Sequence, residues 1–158
     1  MFIHQLTDEE CDTVLRGTNL GRLGCARDNQ PYVVPIYFKF DAFKLSAKYL
    51  YSFANLGQKI HWMRSNPLVC VEVDDVTDQF HWTTVVLFGR YEELDQDEHR
   101  DAAERAYELL RARQNWWQPA AAKTAVSERY FPIVYRIRID SMSGRRTRRE
   151  SRDFEDNL

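Results

Sequence analysis

The chain has little with which to lock a fold by covalent or metal chemistry. Its 158 residues include three cysteines, Cys11, Cys25 and Cys70, odd in number, far apart and without a CxxC pair. That spacing suits neither a disulfide framework nor a zinc site. Four histidines, His4, His61, His81 and His99, are scattered and form no HExxH pattern, so no protein metal site is expected. The glycine patterns GxxxxGK[ST] and GxGxxG are both missing, which removes the nucleotide folds that depend on them. No apolar run is long enough to span a bilayer and Met1 to Gln5 does not open a secretory leader, so a cytoplasmic location is expected. Charge of one sign is lacking too. Twenty-two basic residues face 24 acidic ones for a formal charge of −2, which gives no general attraction to nucleic acid.

What is present is ordinary core material with a rich aromatic share: 44% hydrophobic, 13% aromatic and 29% charged residues. That length and composition suit one domain, residues 1–142, followed by a flexible charged tail, residues 143–158, in which arginines alternate with acids and almost nothing is apolar. Thr7-Asp8-Glu9-Glu10 is a capping-box pattern that opens a helix ending near Gly17. Arg22 to Ala26 reads as a strand leading into a hairpin turn at Arg27 to Gln30. Tyr32 to Phe40 is apolar and aromatic on both faces, with Pro35 in its middle, so it belongs at an edge or a bulge. Its proline frees neighbouring backbone groups for a flat heteroaromatic ligand, or serves only to block aggregation. Asp41 to Lys48 reads as a loop or as an extension of the two strands it joins, Tyr49 to Phe53 as a strand, and Trp82 to Glu93 as a long strand that Gly89 allows to bend. Asp95 to Arg113 is an amphipathic helix, Trp116-Trp117 an aromatic patch, Ala120 to Tyr130 a loop or weak helix, and Val134 to Ile139 a final half-exposed strand.

The stretch from Tyr51 to Asp74 organises the rest. It reads as strand, tight helix start, short helix and strand, with Ile60 and Met63 inward and Asn66-Pro67 as the stop. Asn55 is placed to cap a helix starting at Leu56 or Gly57, Gly57 lets a ligand approach the backbone, and Lys59 sets a cation beside the open N–H groups. A phosphate fits there; so does a plain capped helix with a solvated lysine.

Six strands, mostly hairpin-connected, point to a small antiparallel barrel. Gly21-Arg22-Leu23-Gly24, then Pro31 to Phe38, Leu50-Tyr51-Ser52 through Gly57, Lys59 and Ile60, Asn66-Pro67, Val69 to Val73, and Trp82 with Thr84-Val85-Val86 and Gly89-Arg90 come in that order. This order resembles the pyridoxamine 5'-phosphate oxidase-like FMN-binding split barrels, most closely the small flavin-nucleotide-binding branch related to nitroimidazole reductases. The resemblance covers roughly residues 1 to 140. It implies a mainly β fold with flanking helices, a six-stranded antiparallel Greek-key split barrel, and a homodimer with FMN in a groove between the subunits. It also implies that Lys59, with Gln58 and Ser52, holds the phosphate, that Val34, Pro35, Ile36 and Tyr37 line the isoalloxazine, and that Trp82 and Thr84 approach the cofactor. The implied activity is an FMN-dependent oxidoreductase working on a small substrate with NADH or NADPH. Two other readings stand beside it: a non-catalytic flavin-binding or sensing module, and a nucleic-acid-binding barrel, for which the balanced charge gives little support. The chain departs from the family in placing Ser52 where nitroimidazole-reductase relatives often have histidine. It also lacks the additional basic residues of the vitamin B6 oxidases, so neither of those specific activities is implied.

Overall fold

The computed structural model describes residues 2–43, 47–111 and 132–148. In chain order these form β1 (Phe2–Gln5), α1 (Asp8–Gly17), β2 (Leu20–Arg27), β3 (Gln30–Tyr37), β4 (Lys39–Phe43) and β5 (Ala47–Ala54). There follow α2 (Gln58–Ser65), β6 (Leu68–Asp78), β7 (His81–Glu93), α3 (Arg100–Arg111) and β8 (Ile133–Arg148). Every ladder is antiparallel. The sheet runs β3-β2-β6-β7-β8-β5-β4, with β1 added on β8. Its two end strands, β3 and β4, are consecutive in the chain, yet no ladder joins them among the described residues. The sheet therefore wraps round one core and leaves an open seam at the β3–β4 corner, a split barrel.

Local chemistry accounts for most of the elements. Thr7 caps α1 through a complete capping box with Glu10. The β2–β3 hairpin turns on Asp28 and Asn29, both at positive φ (50° and 63°), the geometry that matches the twist of a two-residue hairpin. At Gly89 the β7–β8 register shifts, and a Cβ there would lie 2.4 Å from the Arg138 carbonyl oxygen. The expected bend is at this glycine because nothing larger fits.

Four expectations are corrected. Eight strands are present, not six. The single strand expected through Tyr32 to Phe40 divides at Phe38, which is buried and donates its N–H to the Asn19 carbonyl at 2.9 Å. With both faces apolar, the sequence carries no sign that the chain changes partner from β2 to β5 there. Asp41 to Lys48 is largely strand and not a loop, the extension of the flanking strands that the sequence also allowed, with Asp41 opposite Tyr49 and Ala42 opposite Lys48. The tail expected from residue 143 starts no earlier than the end of β8 at Arg148. Its residues 145–148 are held between β7 and the unforeseen β1, or by β1 alone, and Gly144 packs under Leu6, whose Cδ1 lies 2.7 Å from where a Cβ would be. Backbone pairing orders that segment despite its polar composition. In addition, α3 begins at Arg100, after a turn in which His99 bonds the Asp95 carbonyl. Trp116-Trp117, Ala120 to Tyr130 and residues 149–158 lie outside the described residues.

The barrel interior is filled by Leu23, Leu50, Val71, Val73, Val85, Leu87, Tyr135 and Ile137, all fully buried. Each buried leucine contributes about 2 kcal/mol of hydrophobic stabilisation. α1 closes one end with Cys11 and Leu15, while α3 sets Ala103, Ala106 and Leu110 on Tyr51 and Val134 outside the barrel. α2 buries Ile60 and Met63, as its sequence predicts. No helix among the described residues is long and apolar enough to cross a membrane.

Candidate functional site

At the seam, the end of β3, the end of β5 and the first turn of α2 enclose a cavity of about 390 Å³. β3 contributes Pro35, Ile36 and Tyr37, and β5 contributes Ser52, Phe53 and Ala54. Asn55, Leu56 and Gly57 form the short connection, and Lys59 comes from α2. Ser52 is 2% exposed and donates its hydroxyl hydrogen to the Tyr37 carbonyl at 2.7 Å. This bond ties β5 to β3 across the seam, where no ladder does so.

The start of α2 differs from expectation. Asn55 is not its cap: the helix begins at Gln58, the cap position falls to Gly57, and no side chain bonds the first-turn N–H groups. Asn55 sits too early because the cap must directly precede the first helical residue. No acidic residue occupies the first turn either. The positive end of the helix dipole thus stands uncompensated by protein charge. Gly57 has an ordinary extended φ of −170°, and a Cβ added there would meet only the Asn55 carbonyl oxygen at 3.9 Å. Neither backbone conformation nor packing within the protomer requires a glycine.

Lys59 is half-buried beside this turn, and burial pushes its ammonium below its ordinary pKa, weakly opposed by the Cys25 thiol. Among the described residues it makes no ion pair. Other cations do: Arg22 meets Asp74 at 2.6 Å, Lys48 meets Asp12 at 2.7 Å, and Arg64 meets Glu93 at 2.7 Å. The Arg64–Glu93 pair, which lowers the Glu93 pKa, also fixes α2 against β7. A partly desolvated ammonium, bare helix N–H groups and a buried hydroxyl together make a site for an anion's oxygens.

Of the nine residues expected to bind cofactor, Pro35, Ile36, Tyr37, Ser52 and Lys59 come together around the cavity. The other four do not line it within one protomer. Val34 packs against the barrel core, and Gln58 faces solvent. Trp82 and Thr84 lie on β7 opposite Val76 and Asp74, and the Thr84 hydroxyl donates to Glu72 at 3.0 Å. Sequence reasoning missed Tyr135. It stands directly opposite Ser52 in the β5–β8 ladder, is fully buried, and its hydroxyl has no hydrogen-bond partner among the described residues. In the sequence it is one more member of an alternating strand, so no local signal marks it.

The outer face of the sheet carries an apolar row across four strands: Val33 opposite Gly24, Gly24 opposite Cys70, and Cys70 opposite Phe88. Val33 and Phe88 are 64% and 57% exposed, with Leu68 close by on β6 at 57%. Pro35, at the cavity mouth, begins the adjoining row through Arg22 and Glu72. Pro35, two residues after Val33 and on the same side of β3, links this face to the cavity.

Comparison with known proteins agrees with this architecture. A family model described as pyridoxamine 5'-phosphate oxidase matches residues 7–146. An uncharacterized protein of Rhizobium meliloti (strain 1021) is 37% identical over 150 residues, 92% of this chain and 95% of that one. The crystal structure of a FAD-binding protein from Mesorhizobium loti is similar at 36% identity, over 94% of this chain and 99% of that chain, with a TM-score of 0.74. A FAD binding protein from Mycobacterium smegmatis shares the fold at 21% identity, over 93% of this chain and all of that chain (100%), with a TM-score of 0.65. With its open-seamed antiparallel barrel and a family match across nearly all its described elements, the chain belongs to the pyridoxamine 5'-phosphate oxidase family.

Proposed function

We propose that the seam cavity anchors a flavin by its phosphate and that the protein is a flavin-dependent oxidoreductase. The observation that carries this reading is Lys59, a partly desolvated cation without a carboxylate partner among the described residues, set at a helix start with no side-chain cap and lining one cavity with Ser52. The similarity to a FAD-binding protein at 36% identity supports flavin as the ring system. The chain's own residues have distinct parts. Lys59, the α2 N–H groups and Ser52 hold the phosphate, Gly57 leaves room for it, and Val34 to Tyr37 on the terminal strand β3 offer their backbone to the ring edge. Gln58, its side chain toward solvent, contributes to the phosphate end through its backbone N–H as the first residue of α2.

One phosphate matched to one ammonium favours FMN; mass spectrometry of ligand released from the native protein separates FMN from FAD. When bound, the flavin supplies the redox chemistry, accepting and giving up electrons between NADH or NADPH and a small substrate. The protein binds it, orients it and keeps one face from water. A homodimer formed through the Val33–Phe88 row belongs to the same reading, because that face adjoins Pro35 and would let Trp82 and Thr84 reach a partner's cofactor. The test is flavin absorbance in the purified protein, followed by its loss in Lys59→Met. A colourless wild-type protein that takes up no added flavin overturns the reading.

One feature favours a second reading, a flavin-binding module without turnover. Among the described residues the cavity lining contains no carboxylate, histidine or cysteine to move a proton, and Lys59 and Tyr37 are its titratable groups. Stopped-flow mixing of the flavin-loaded protein with NADH and NADPH decides between the two: reduction at a useful rate supports the enzyme, and its absence with both donors supports the module.

A further inference from the structure

The cavity and its basic helix start leave unexplained the one buried hydroxyl behind them. Tyr135 is fully enclosed, in tilted contact with Tyr91 at 5.4 Å between ring centroids, and among the described residues its hydroxyl makes no hydrogen bond. A buried hydroxyl without a partner destabilises a fold, and phenylalanine would fill nearly the same space without it. Its surroundings locate its use. Ser52 lies directly across the ladder, close enough to draw the Tyr135 pKa down against burial while the two hydroxyls fall short of hydrogen-bond geometry. Ser52 has one hydrogen to give, and in this state gives it to the Tyr37 carbonyl.

Resting on the phosphate reading of the cavity, we propose that Tyr135 is a positioning residue for the bound anion: when a phosphate enters, Ser52 turns its hydroxyl hydrogen to a phosphate oxygen and Tyr135 donates its own to Ser52 Oγ. Ser52 has one hydrogen to give and two lone pairs to receive, so it can donate to the phosphate while accepting from Tyr135. Ser52 cannot hold both the carbonyl and the phosphate with a single hydrogen. Once it points at an anion, its oxygen gains acceptor strength for Tyr135, so the two bonds reinforce each other. An otherwise wasteful buried group thus acquires a partner only in the loaded state. No proton is transferred, and both hydroxyls stay neutral throughout.

The test compares wild type, Tyr135→Phe, Ser52→Ala and the double variant by titration with FMN and with riboflavin, which lacks the phosphate. Melting temperatures are read without ligand and with inorganic phosphate. The expected result is that Tyr135→Phe melts no lower than wild type when empty, yet binds FMN about three- to tenfold more weakly, with riboflavin affinity unchanged. In the double variant, FMN affinity should match that of Ser52→Ala alone, since Tyr135 acts only through Ser52. Wild-type FMN affinity in Tyr135→Phe, equal losses for both ligands, or additive losses in the double variant would each overturn the proposal. Should wild type bind neither flavin, the cofactor reading fails by itself. The phosphate arm then decides: a Lys59-dependent rise in melting temperature that Tyr135→Phe diminishes supports the relay, and an undiminished or absent rise overturns it.

Discussion

Replacing Lys59 by methionine keeps the length of the side chain and removes its charge, and two opposite effects should follow. In the empty protein the ammonium lies partly out of water with no carboxylate facing it, so its loss should leave the melting temperature unchanged or raise it. With a phosphate bound, the same ammonium makes a charge-assisted bond. At 4 Å and an effective dielectric constant near 20, the direct attraction between two unit charges is about 4 kcal/mol, an upper limit before solvent competition. Mutational experience with hydrogen bonds to charged groups sets the net figure at about 1.5–3 kcal/mol. The phosphate-bearing flavin should therefore bind roughly ten- to 150-fold more weakly to Lys59→Met, as isothermal titration would record. The pH dependence carries a definite sign. The charged lysine is the binding form and its pKa lies below the ordinary 10.5, so wild-type affinity should decline as pH rises through that lowered value, while the variant's stays flat. Stability of the empty wild type should move the other way, rising with pH between the lowered pKa and 10.5, because the unfolded chain holds its proton longer. Affinity within twofold of wild type, with an unaltered pH profile, would refute the assignment of Lys59 to the phosphate.

Three further outcomes test other parts of the structure. Gly57→Ala should cost no more than about 1 kcal/mol, the loss of a glycine cap, since its Cβ meets only one oxygen at 3.9 Å, while reducing flavin uptake; equal uptake would remove the close-approach role of this glycine. Phe88→Asp places a carboxylate in the exposed apolar row, and sedimentation should show a wild-type dimer converted to monomer; a variant that sediments as wild type does would exclude this face as the interface. Asn29→Ala should cost about 1 kcal/mol in urea denaturation, because alanine tolerates the 63° φ poorly, whereas Asn29→Gly should be close to neutral.

How far a residue's role could be read in advance depended on the range of the interaction behind it. Thr7 and Glu10 sit three apart and cap each other, so the start of α1 was visible in four letters. Gly89, Asn66-Pro67 and the turn at Asp28-Asn29 were readable for the same reason: each governs its own backbone. The order of motifs also carried the family, and with it the pairing of Lys59 and Ser52 in one cavity. By contrast, the strand break at Phe38, the added strand β1 and the persistence of β8 to Arg148 depend on partners far off in the chain. Composition marked Arg145 to Arg148 as tail because side-chain burial was the criterion, whereas backbone hydrogen bonds to neighbouring strands order it.

By itself, then, the sequence determined where α1 begins, where the β2–β3 hairpin turns, where α2 stops, and that a lysine stands at a helix's first turn. Only the tertiary structure decided that Asn55 is not a cap and that, among the described residues, this lysine lacks a counter-charge and a tyrosine on the last strand lies buried opposite Ser52 without a hydrogen-bond partner. The difference is physical. Capping and turn formation are settled within a few residues, but desolvation and the absence of a hydrogen-bond partner are properties of everything that surrounds a group, and those surroundings exist only after the sheet has wrapped round to its seam.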